Sequence, residues 1–66
     1  MYTPTENERK LCYCIVRELI KGRKINIDEA VDDVFATTYS IGGAYDERTL
    51  KSVAEVVITR LTDKDE

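Results

Sequence analysis

The 66 residues predict an all-α fold, a three-helix, hairpin-like module that pairs into a helical homodimer. Three observations carry this expectation. Apolar residues recur at helical spacing in three runs that take up almost the whole chain. A capping residue stands ahead of each run, and glycine follows the first two. The first run is apolar on two sides, which is more than one small core requires.

The first helix is expected over about residues 4–21. Thr3 can cap it, Pro4 suits the first helical position, and Glu6 stands where a reciprocal cap needs a carboxylate. Thr5 with Glu8 offers a competing cap two residues later. Gly22 then ends the helix, since a residue without Cβ accepts the left-handed conformation. The main stripe reads Leu11, Cys12, Ile15 and Leu19. A second stripe, Tyr13, Val16 and Ile20, is assigned to the opposite side and read as a dimer or partner interface. The competing reading is a central helix covered on both sides by the other two.

The second helix is expected over about 27–39. Asn26 is its cap, and Glu29 has a carboxylate that can reach back. Ile27, Ala30, Val31, Val34, Phe35 and Thr38 form the cleanest stripe in the chain. Ser40-Ile41-Gly42-Gly43-Ala44 breaks the pattern, because adjacent glycines end a helix and permit positive φ. Asp46 caps a third helix over about 46–61, with Leu50, Val53, Ala54, Val57, Ile58 and Leu61 inward. Val56-Val57-Ile58-Thr59 would also suit a strand, but a lone strand has nothing to pair with. Residues 63–66 are expected to fray. The whole chain, 1–66, is one domain.

Composition sets limits on function. Apolar residues make up 42% and charged residues 35%, a globular balance. A core this small rarely supplies more than ~3–5 kcal/mol of net stability, so a partner is expected. The formal net charge of −3 argues against non-specific attraction to nucleic acid or anionic membrane. It is unevenly placed: residues 1–25 carry a net +3, residues 26–66 a net −6. No apolar run approaches the ~20 residues that span a bilayer, and no signal peptide precedes the first helix. Cys12 and Cys14 point about 200° apart on a helix and cannot bond each other, which fits a reducing cytoplasm.

The chemistry-bearing groups have ordinary explanations. Asp28, Glu29, Asp32 and Asp33 offer oxygen ligands for a weak calcium or magnesium site, but the calcium-loop pattern is absent. Acids at a helix N-terminus already complement its dipole. Arg17, Lys21, Arg23 and Lys24 cluster around the end of the first helix and form a candidate polar contact surface for phosphates or acidic protein. Pairing with the acids that open the second helix would use up much of this patch. A DNA-reading helix-turn-helix is disfavoured by its long loop and by Asp46-Glu47 at the start of the reading helix. Two cysteines without histidine cannot close a zinc site, and no base is placed to activate a hydroxyl. No cofactor is expected, and the chain reads as a non-enzyme.

The run from Leu11 through Leu19-Ile20-Lys21-Gly22-Arg23, followed by Ile25-Asn26, resembles the family of small regulators that includes AriR (YmgB) and YcgZ. The likeness extends over roughly residues 8–63 through the Gly42-Gly43 loop and the third helix, and it rests on pattern and spacing. That resemblance implies small all-α proteins of enteric bacteria that dimerise through their helices, with links to biofilm formation and acid resistance. Some members are connectors that tune a two-component phosphorelay controlling capsule, and direct DNA binding has been proposed for others. No catalytic motif comes with the family. The chain departs from it in lacking a long polar extension ahead of the first helix.

The expected function is therefore a non-enzymatic, homodimeric regulatory connector in biofilm, acid-stress or phosphorelay signalling. Tyr13, Val16 and Ile20 would carry association with itself or a signalling protein, and it would act by preferring one conformation of that partner. A dimeric DNA-binding regulator is the first alternative. An acidic, antitoxin-like inhibitor that masks a basic surface is the second.

Overall fold

Thr5, not Thr3, opens the first helix. The computed structural model describes residues 3–64, the last without its side chain, and places α1 at Glu6–Leu19. The Thr5 hydroxyl accepts from the Glu8 N–H at 3.2 Å, and the Glu8 carboxylate accepts from the Thr5 N–H at 2.8 Å. Two orphan donors are satisfied at once. Both candidate caps read Thr-x-x-Glu, and the one nearer the apolar run holds. At the other end Ile20 donates its N–H to Val16, and Arg23 donates to Ile20 to close a turn. Gly22 is the third residue of that turn, at φ 78°, so α1 stops two residues before the expected Lys21.

α2 spans Ile27–Ser40, and Asn26 caps it by accepting from the N–H groups of Asp28 and Glu29. Its end is built by Gly42 at φ 71°. Gly42 donates to Tyr39 at 3.0 Å and Gly43 to Thr38 at 2.9 Å, which satisfies two of the last carbonyls. Gly43 has a different constraint: an added Cβ would lie 3.1 Å from Thr49 Cγ2 and 3.3 Å from Thr38 Cγ2.

α3 spans Glu47–Lys64, three residues beyond the expected end, so 63 and 64 are helical rather than frayed. Residues 65–66 of the expected tail lie outside the described residues. Asp46 accepts from the hydroxyl and N–H of Thr49, which holds its carboxyl below the usual range. The β-branched run is helical. Thr59 and Thr62 return their hydroxyls to the carbonyls of Glu55 and Ile58, the local bond that lets threonine sit inside a helix.

Each helix packs against the other two. The radius of gyration is 10.9 Å, against about 10.8 Å for a well-packed chain of this length. α2 supplies Ala30, Val31, Val34, Phe35 and Thr38 to the core, and α3 supplies Leu50, Val53, Ala54, Val57 and Ile58. These match the expected stripes, with Ile27 and Leu61 half-buried at the margins. Phe35 is the largest fully buried side chain and meets Tyr45 edge-on, centroids 5.4 Å apart, which fastens the loop ahead of α3.

α1 departs from expectation. Its two fully buried residues are Cys12 and Val16, while Leu11, Ile15 and Leu19 are only half-buried. Helical rotation of about 100° per residue explains this. Around the axis the order is Leu11, Ile15, Leu19, Cys12, Val16, Ile20, Tyr13, a single arc of about 200°. There are not two opposed stripes but one wide one, and its middle faces α2 and α3.

Candidate functional site

The wide arc of α1 has two edges, and the fold treats them differently. Along the first, the Tyr13 hydroxyl donates to Asp28 Oδ1 at 2.6 Å, tying the middle of α1 to the start of α2. The Asp28 carboxylate stabilises the protonated phenol and pushes the Tyr13 pKa up. Ile20 is half-buried against the core on this same edge.

Of the expected interface of Tyr13, Val16 and Ile20, one residue is corrected: Val16. Val16 is fully buried by its own chain and can contact no partner. Tyr13 is half-buried with its hydroxyl committed to α2, and Ile20 is an edge residue of the core. The physical reason is the width of the arc: Val16 belongs to its centre, not to an outer face.

The second edge lies open. Leu11, Ile15 and Leu19 floor a groove of about 390 Å³ between α1 and the first turns of α3. Cys14 and Glu18 form its α1 rim, Glu47 and Lys51 its α3 rim. Among the described residues no hydrogen bond or ion pair crosses between these rims. A polar tie to α3 lies beyond the groove, where Arg23 Nη1 donates to Thr62 Oγ1 at 2.9 Å. The signal for this site was already in the sequence, in Leu11, Ile15 and Leu19 recurring at intervals of four, but there it was assigned to the core.

The basic set is also repositioned. Arg17, Lys21, Arg23 and Lys24 are all exposed. Lys21 turns back to Glu18 on its own side of the molecule at 3.0 Å, and Arg23 reaches α3. Pairing with the acids that open α2 is not how these two side chains are used. Exposed pairs of this kind contribute only about 0.2–1 kcal/mol, so the cluster is held loosely.

The remaining groups are quickly placed. Burial pushes the Cys12 thiol up to about 11, while Cys14 is exposed on the groove rim. Among the described residues no three His, Cys, Asp or Glu side chains gather in a way that could hold a metal ion. No described helix is long and apolar enough to cross a membrane. No family model matches this chain, comparisons with characterised proteins and with solved structures find no match, and nothing in them links it to the regulator family its first helix resembles.

Proposed function

We propose that this chain is a non-enzymatic regulatory module that acts by binding protein through the groove between α1 and α3. One observation carries the reading. Leu11, Ile15 and Leu19 form a contiguous apolar floor that the rest of the chain leaves half-covered. Protein grooves of this form, apolar below and charged at the rim, suit an amphipathic helix with anchors at matching spacing. The connector role in biofilm, acid-stress or phosphorelay signalling follows from the family resemblance alone. In it the bound state would favour one conformation of a signalling partner, since a ligand shifts an equilibrium only by its differential affinity. A non-enzymatic role is argued from the residues: the chain has no histidine, and its buried thiol is held in the unreactive protonated form.

The test uses chemistry the chain already offers. Cys14 is exposed on the groove rim and Cys12 is buried, so a benzophenone maleimide labels position 14 selectively. Irradiation at cellular concentration in an extract of the source cells should give one discrete protein adduct. The control carries the label on Val56→Cys in a Cys14→Ser background, a site 56% exposed elsewhere on α3. No adduct from position 14, or the same adducts from both positions, would overturn the reading.

A further inference from the structure

We draw no further inference here: the strongest candidate, the apolar groove between α1 and α3, belongs to the site already described, and with Glu18 and Glu47 beside Lys51 on its rims nothing in the structure shows which partner covers it.

Discussion

The two edges of α1 are both apolar and both half-buried, yet they meet different fates. On one edge Tyr13 is bolted to Asp28, and Ile20 is half-buried beside it. On the other, Leu11, Ile15 and Leu19 floor a groove that no hydrogen bond or ion pair spans among the described residues. A helix packed on two neighbours can cover only part of a 200° arc, and the first polar tie decides which side is covered. Here that tie is a phenol reaching a carboxylate at the start of the next helix.

The hardest way to break this contrast is at adjacent residues. Val16→Asp places an unpaired carboxylate in a fully closed site, at several kcal/mol. That is comparable to the ~3–5 kcal/mol a core of this size supplies, so the variant should show no cooperative urea transition. Ile15→Asp, one position away, should keep a cooperative transition at low micromolar concentration, with a loss of about 1 kcal/mol. Equal damage at both sites would mean that the Leu11 edge is not open.

Alkaline pH gives a smaller effect of known sign. Cys12 is raised from 9.0 to about 11 by burial, and Tyr13 is raised by Asp28. Both groups bind protons more tightly folded than unfolded, so their contribution is complete below their unfolded pKa values and fades as pH climbs through the folded ones. The urea midpoint should hold from pH 7 to about 9 and then fall, and Cys12→Ala should flatten the fall between pH 9.0 and about 11. A flat midpoint up to pH 11 in the parent chain would show that Cys12 is not closed off.

The mildest change sharpens the account of the sealed edge. Tyr13→Phe removes the donor to Asp28 and should lower the midpoint slightly. Asp28→Asn keeps an accepting oxygen and should cost less. If the asparagine variant is the weaker of the two, charge rather than the hydrogen bond closes that edge.

Much of this molecule was legible from its residues, and the exceptions have a common cause. α2 and α3 carry narrow stripes with a single centre, so Val34, Phe35, Leu50 and Val57 could be assigned inward from spacing alone. α1 carries an arc with no polar residue to mark its middle, and choosing Leu11 over Val16 there was a choice of rotation that spacing does not make. Glu8 could have decided the first cap only by its partner, since Glu6 offers Thr3 the same spacing. Only the floor of the groove lies in the spacing; its far rim does not, because the groove joins Ile15 to Lys51, residues brought together only when the helices pack.

Thr38 is the one buried polar side chain among the described residues, and its hydroxyl bonds the Val34 carbonyl of its own helix. The interior thus has no lock-and-key letter shared between helices; it is specified by volume. Cores of that kind drift freely, exchanging valine for isoleucine or leucine so long as the total is kept. Kin of this protein would be recognised by the shape they enclose long after their spelling had diverged.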